Sequence, residues 1–345
     1  MKWMPLFLFL IFLTSSVPAN DLTQPDAATP TRFVVMGDMP YTDSEYALLE
    51  QPDGAIAKAI KALNPPVLIH LGDFKRGRLS CDDERYKDHY RQIANLNPHR
   101  TVYTPGDNDW TDCDRFTFFT RHDELERLTY LRQLFFHQDS YQLTKDIAGL
   151  VRQEGYIENA RWQMGSVVLA TLHIPGTNNG RKEILRSDTR DALNEADYRD
   201  QSNAEWLNQL FTVAKSAQAA VIAFHADIFD FDYTKPVCTL ENRMECDGYR
   251  MIRDLIKSKA TQFNKPVLVI HGDSTAYCLH QPYPEIPNLW RLNVPGDYIH
   301  TDVNQILVNP KNRDMPFAVT GVLNPKPAPA VCSYSFLGNP FILLF

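Results

Sequence analysis

The sequence predicts an α/β fold. Short apolar runs of strand length alternate with longer amphipathic segments from about residue 33 to residue 270, and such alternation implies strands joined by helical crossovers. Four runs end in Gly-Asp: "FVVMGD" (Phe33 to Asp38), "VLIHLGD" (Val67 to Asp73), "VYTPGD" (Val102 to Asp107) and "VLVIHGD" (Val267 to Asp273). Gly and Asp are both depleted in strands, so the repeated ending marks a purpose at the strand ends rather than a strand preference.

The strand runs are Phe33–Met36, Val67–Leu71, Thr101–Thr104, Ser166–Leu172, Ala219–Phe224 and Val267–Ile270. Between them, "AIAKAIKAL" (Ala55 to Leu63), "ELERLTYLRQLFF" (Glu124 to Phe136), "NAEWLNQLFTVAKSA" (Asn203 to Ala217) and "YRMIRDLIKSKATQF" (Tyr249 to Phe263) carry apolar residues at helical spacing. In the third, Trp206, Leu207 and Leu210 form one apolar face, with Asn203 or Ser202 expected as the capping residue. From Asn288 onwards "LWRLNV", "NQILVN" and "FAVTGV" are short, Pro-punctuated β-like segments, expected to close the domain as a β-meander. No repeat or low-complexity stretch divides the chain, and 345 residues can bury a sizeable core. One domain over residues 32–345 is expected.

The first residues read as an export signal: Lys2, the apolar "LFLFLIFL" (Leu6 to Leu13), and "SVPAN" with a small-residue cleavage site after Ala19. Residues 1–19 are expected to be a signal peptide and 20–31 a leader. The alternative is an uncleaved anchor, its apolar run extended by Trp3 and Val17. After cleavage no stable membrane insertion is expected, and the mature protein would be periplasmic or secreted. Export permits disulfides, and there are six Cys. Of the fifteen connectivities open to them, one pairs Cys81 with Cys113, Cys238 with Cys246 and Cys278 with Cys332. There is no Cys-x-x-Cys pair to suggest a thiolate zinc site, and no Asn-x-Ser/Thr acceptor, which favours a bacterial exported protein.

The formal charge of −7 includes no basic run, so no nucleic-acid-binding surface is expected. In α/β sheets, ligand sites collect beyond the carboxyl ends of the strands. Four Gly-Asp ends there would crowd carboxylates into one crevice and demand cations between them. Divalent metals meet that demand, and an imidazole among the ligands shifts preference toward Fe, Mn or Zn. "AVIAFHAD" (Ala220 to Asp227) delivers such an imidazole, His225.

The ordered set "GDMPY", "HLGDFKRG", "PGDNDWTDC", "FHAD" and "HGDS", between Arg32 and Tyr277, resembles the calcineurin-like metallophosphoesterase superfamily, related to purple acid phosphatases, and within it a group of exported bacterial members. The resemblance implies a four-layer α/β/β/α sandwich and two divalent ions (Fe, Mn or Zn) about 3.5–4 Å apart. It implies hydrolysis of a small-molecule phosphoester by a metal-bridging hydroxide. Asp38, Asp73 (the bridging carboxylate), Asp107, His225 and Asp273 match metal-ligand positions. Asn108 stands where a His usually contacts the phosphoryl group or leaving oxygen. Pro40 and Thr275 stand where the family offers further imidazoles. Those two departures support a rival reading, a non-catalytic binding or effector protein on the same fold, or one retained metal serving structure only.

Since Asn108 cannot protonate a leaving group, Asp109 or metal-bound water is expected to do so; otherwise good leaving groups are favoured. Arg76 and Arg78 are phosphate-gripping candidates, or plain surface arginines. Asn178 and Asn179 in "PGTNNG" are candidate substrate donors, or simply turn residues. Tyr41, His271 and His280 could supplement the first metal, although Tyr41 and His271 also read as core residues. His70 reads as buried support, and Trp110, Thr111 and Asp112 as the substrate mouth or, with Asp114, as a helix cap.

Overall fold

The computed structural model describes Met1 and residues 30–115, 120–137, 142–229 and 234–333. The expected signal peptide lies outside these apart from Met1, as does the expected leader apart from Pro30 and Thr31. The fold is α/β with two mixed sheets. The first has the order β12-β11-β1-β2-β3, built from β1 (Thr31–Met36), β2 (Leu68–His70), β3 (Thr101–Tyr103), β11 (Asn304–Val308) and β12 (Phe317–Gly321). The second has the order β4-β5-β6-β7-β8-β10-β9, built from β4 (Val151–Arg152), β5 (Ala160–Met164), β6 (Val167–Thr171), β7 (Ala219–Ala223), β8 (Val267–His271), β9 (Cys278–His280) and β10 (Leu289–Asn293). β1, β2 and β3 run parallel, as do β6, β7, β8 and β10. Antiparallel strands flank both sets.

Strand composition follows position in the sheets. The central parallel strands β2, β6, β7 and β8 are buried at every residue, which is why they read as unbroken apolar runs. The flanking β5, β11 and β12 alternate buried and open positions, the pattern of strands with one covered face. Phe33, Val35, Ile69 and Val102 of the first sheet pack with Leu169, Val221, Leu268 and Leu292 of the second in one apolar cluster. The opposite faces meet helices: Val34, Met36 and Leu68 pack on α2 (Ala55–Leu63), and Val168, Ile222 and Val269 on α6 (Thr189–Val213) and α7 (Arg250–Phe263). Each Leu or Ile so buried contributes roughly 1.5–3 kcal/mol. A further cluster joins Phe74 and Tyr103 to α3 (Asp83–Leu96) and α4 (Glu124–Phe136).

Two expectations about segments fail. Asn203 does not cap a helix; α6 begins fourteen residues earlier, capped by Asp188, whose side chain accepts from Asp191 N. Asn203 lies buried mid-helix, donating to His173 O (2.8 Å) and accepting from Asn159 Nδ2 (2.8 Å). The segments after Asn288 are not a meander either. β10 extends the second sheet beside β8, and the chain then crosses to the first sheet for β11 and β12. Asp112 and Asp114 lie within a 3-10 turn, Thr111–Asp114, while Asp123 caps α4.

All three disulfides of the expected pairing are closed: Cys81–Cys113, Cys238–Cys246 and Cys278–Cys332. Disulfides of this number fit an oxidising compartment. Among the described residues no helix is long and apolar enough to cross a membrane.

Candidate metal centre

The parallel strands of both sheets open onto one crevice. β1, β2 and β3 deliver Asp38, Asp73 and Asp107 from the first sheet, and β7 and β8 deliver His225 and Asp273 from the second. Asp38, Asp73 and Asp273 each adopt a left-handed backbone, with φ of 54°, 55° and 59°. Asp tolerates this conformation better than most side chains, and it turns the carboxylate back over the strand end. The preceding glycines have a different purpose, close approach. A Cβ on Gly106 would fall 2.1 Å from Asp73 Oδ1, and one on Gly272 1.9 Å from Asp38 Oδ2. Gly106 and Gly272 therefore each make room for a carboxylate of another strand, while Gly37 approaches the Leu71 side chain and Gly72 the Gly106 backbone.

His225 is the hub. Its Nδ1 lies 3.0 Å from Leu71 O, a carbonyl that can only accept, so Nδ1 carries a proton. Nε2 then faces oxygen atoms alone: Asp107 Oδ1 at 3.0 Å, Asp73 Oδ1 at 3.4 Å and Asp273 Oδ1 at 3.7 Å. A bare nitrogen lone pair aimed at three carboxylates is repulsive unless a proton or metal ion lies between. Burial alone would lower the His225 pKa, but Asp73, Asp107 and Asp273 raise it well above the ordinary range. Burial likewise pushes Asp38 up to about 8 and Asp273 to about 7, and drives Asp73 well above its usual value. Burial works against Asp107 too, yet the His225 hydrogen bond and charge, with Arg115 and Thr177, hold it below the usual range.

This donor set fits a divalent ion. Asp38, Asp73 and His225 offer ligand atoms within 4.8 Å of one another, and so do Asp107, His225 and Asp273. Oxygen-rich sets with one imidazole suit Mn, Fe or Zn, and Nδ1–H on a backbone carbonyl is the usual way a metal-binding His is oriented. A third grouping, Cys278, His280 and Cys332, offers no thiolate because its cysteines form a disulfide.

Surrounding groups fix the candidate ligands. Tyr41 Oη donates to Asp73 Oδ2 at 2.6 Å, and Asn108 donates its backbone N–H to Asp73 Oδ1 at 3.1 Å and its amide to Asp73 Oδ2 and to Tyr41 Oη. The Asp109 carboxylate accepts from Asp73 N (2.8 Å), Phe74 N (3.1 Å), Gly106 N (2.8 Å) and Tyr103 Oη (2.8 Å). His70 Nδ1 accepts from Gly72 N at 3.1 Å, steadying the same turn. Beyond β6, Thr177, Asn178 and Asn179 are all left-handed (φ 52°, 55° and 60°), a conformation costing about 1–2 kcal/mol per residue. The turn aims Thr177 Oγ1 at Asp107 Oδ2 and Asp112 Oδ1, each 3.1 Å away.

No family model matches the chain, and no curated protein matches it.

Several sequence-derived roles need correction. Asp109 is buried with its oxygens taken by four donors, so it positions the Asp73 and Asp107 turns and is not poised as an acid. Asn108 gives its amide to Asp73 and Tyr41 rather than to open space. Asn178 points away from the carboxylates, donating to Cys246 O (3.1 Å) and accepting from Gly248 N (2.9 Å). His271 has both ring nitrogens engaged, with Gly272 O (2.9 Å) and Arg291 Nε (2.8 Å), in a network that continues to Asp227. Trp110 packs between His173 and Arg199 instead of lining a mouth. Arg76 stays a rim residue, half-buried, its Nε without a partner among the described residues.

Three residues beside the carboxylate cluster escaped the sequence reading. Thr177 looked like turn chemistry. Lys75, inside "GDFKRG", is wholly buried with Nζ unpartnered among the described residues, close enough to feel Asp109, Asp112 and Asp73. Asp297 ends "VPGD", the same tetrapeptide pattern as Thr104 to Asp107. The β-meander expectation hid it, since a meander strand would not open on this crevice.

Proposed function

We propose that the protein is an exported, metal-dependent phosphoesterase on a four-layer α/β/β/α sandwich of the calcineurin-like metallophosphoesterase superfamily. The observation that carries this reading is the convergence of Asp38, Asp73, Asp107 and Asp273, from two sheets, on His225 Nε2. The helix clusters on the outer faces of both sheets support the four layers. The closed disulfides support export.

Asp38, Asp73, Asp107, His225 and Asp273 would hold two divalent ions of Fe, Mn or Zn, which supply Lewis-acid charge neutralisation and an activated water for attack on phosphorus. Asp109, Tyr41 and Asn108 keep Asp73 in place between the two halves. Thr177 does the same for Asp107. The loop carrying Arg76 presses on Asn108, since a Cβ on Gly77 would meet Asn108 Oδ1 at 2.5 Å and Arg115 Nη1 at 2.8 Å. Arg115 is held by Asp112 (2.6 Å) and Glu183 (3.2 Å), which leaves the neighbouring Arg76 as the guanidinium that would grip phosphoryl oxygens. The Asn108 position offers no transferable proton.

A second reading, binding without turnover, is favoured by the engagement of Asn108 with Asp73 and Tyr41. Hydrolysis of 4-nitrophenyl phosphate separates the two. Turnover that disappears with chelator and returns with Mn²⁺ supports the esterase. Metal binding without turnover of this or a diester analogue supports the binding protein.

A further inference from the structure

Beyond β10 the chain makes two consecutive left-handed residues, Asp297 (φ 51°) and Tyr298 (φ 67°). Asp adopts this conformation with some ease. A bulky side chain such as Tyr rarely does, and keeps it only where its surroundings hold it. Ile299 N and His300 N both donate to Gly296 O, at 3.2 and 3.3 Å, and Asp297 N donates to Asp38 O at 3.2 Å. The turn is thereby fixed to the strand end that carries Asp38.

The strained turn sets an aromatic ring at the rim of the crevice. Tyr298 lies against Tyr41, with ring centroids 4.9 Å apart and planes inclined at 54°. Tyr41 is buried and donates to Asp73 Oδ2, so one ring contact and one hydrogen bond separate Tyr298 from the carboxylate cluster. Tyr298 itself stays exposed. Arg76 and Arg78 are close enough for their charge to act on its phenol. The Arg76 loop also presses on Asn108, whose amide reaches Tyr41 Oη at 3.1 Å. An open aromatic ring and a guanidinium suited to phosphoryl oxygens thus stand beside the same Tyr41–Asn108 pair.

We propose that Tyr298 determines specificity, as a platform on which the planar ring of an aryl phosphoester stacks while its phosphoryl group meets the metal centre and Arg76. This rests on the phosphoryl-binding reading of the site given above. Stacking recognises a planar substituent without selecting its hydrogen-bond pattern, so the class is aryl phosphoesters in general. The chemistry of the site agrees. With no proton offered at Asn108, weakly basic leaving groups are favoured, and phenols are such leaving groups whereas aliphatic alcohols are not. Binding and chemistry therefore select the same substrates.

Calorimetric titration of the full chain, supplied with Mn²⁺, with benzylphosphonate and with ethylphosphonate tests this without requiring turnover. Both probes carry the phosphonate, with a methylene where the ester oxygen would be, and only the first carries a ring. The wild type should bind benzylphosphonate about tenfold more tightly. Tyr298→Asn, which accepts a left-handed backbone, should lose that preference, and so should Tyr298→Gly, which relieves the strain. Tyr298→Phe should keep it. Melting temperatures close to that of the wild type verify that the variants fold. Equal binding of the two probes by the wild type, a preference retained without the ring, or a preference lost in Tyr298→Phe overturns the platform and leaves the phosphoryl site standing. Binding of neither probe by the wild type overturns the phosphoryl site and the platform with it.

Discussion

His225 Nε2, carried by one sheet, lies 3.0 Å from Asp107 Oδ1, carried by the other. The site is thus a seam between two sheets. Its precision depends on how closely their strand ends approach, which is where the glycines act.

Gly272→Ala tests that dependence. The new methyl would meet Asp38 Oδ2 at 1.9 Å, and relieving the clash must move a ligand. We expect about 1–3 kcal/mol of destabilisation together with loss of metal binding, read by thermal melting and metal content. Gly155→Ala, with open space around it but φ of +80°, should cost on the order of 1–2 kcal/mol from backbone strain alone and leave metal content unchanged.

Asp109→Asn separates positioning from acid catalysis. The substitution puts an NH₂ in place of one accepting oxygen, facing at least the Phe74 N–H, so a loss of about 1–3 kcal/mol in stability and weaker metal binding are expected, with the pH profile of any turnover unshifted. Normal stability and metal content with a lost basic limb of the pH profile would make Asp109 the acid after all.

The missing proton donor beside Asp73 has a kinetic consequence. Aryl phosphates, whose leaving groups need no proton, should be cleaved far faster than alkyl phosphates. Equal rates would show that another group protonates the leaving oxygen.

Acid sensitivity has a named source in His89 of α3, stacked on Phe74 with ring centroids 5.3 Å apart. Burial holds its pKa down to about 4, so the folded protein keeps it neutral where the unfolded chain would take up a proton. Its contribution is present above about pH 6.5 and is lost as the pH falls toward 4, amounting to about 3 kcal/mol. His89→Phe should flatten the stability curve between pH 6.5 and 4; an unchanged slope contradicts this.

The Cys81–Cys113 bridge ties the loop after Asp73 to the turn after Asp107 across a separation of 32 residues. Removing it by Cys81→Ala and Cys113→Ala should cost about 3–4 kcal/mol and weaken metal binding, because both loops follow candidate ligands. Melting and metal titration of the double variant measure the two effects.

The strands were legible wherever both faces are covered, because β2, β6, β7 and β8 are apolar but for His70, Thr171 and His271 at their ends. α3 was not, since its buried face consists of Tyr86, His89, Gln92, Ile93 and Leu96, and its polar members mask the helical period. The carboxylates that converge on His225 announced themselves through Gly-Asp, a signal readable without structure. Two kinds of information were not readable. Which way a side chain turns decided the roles of Asn108, Asp109 and Asn178, and that depends on contacts distant in sequence. Asp297 depended on knowing that β10 joins the second sheet in parallel, which strand pattern alone does not specify.

Metal analysis of the purified protein tests the central claim most directly. After dialysis with Mn, Fe and Zn each offered, the wild type should hold about two ions per chain, and Asp73→Asn, which removes the carboxylate expected to bridge the two ions, should hold fewer. No bound metal in a folded wild type would contradict the account.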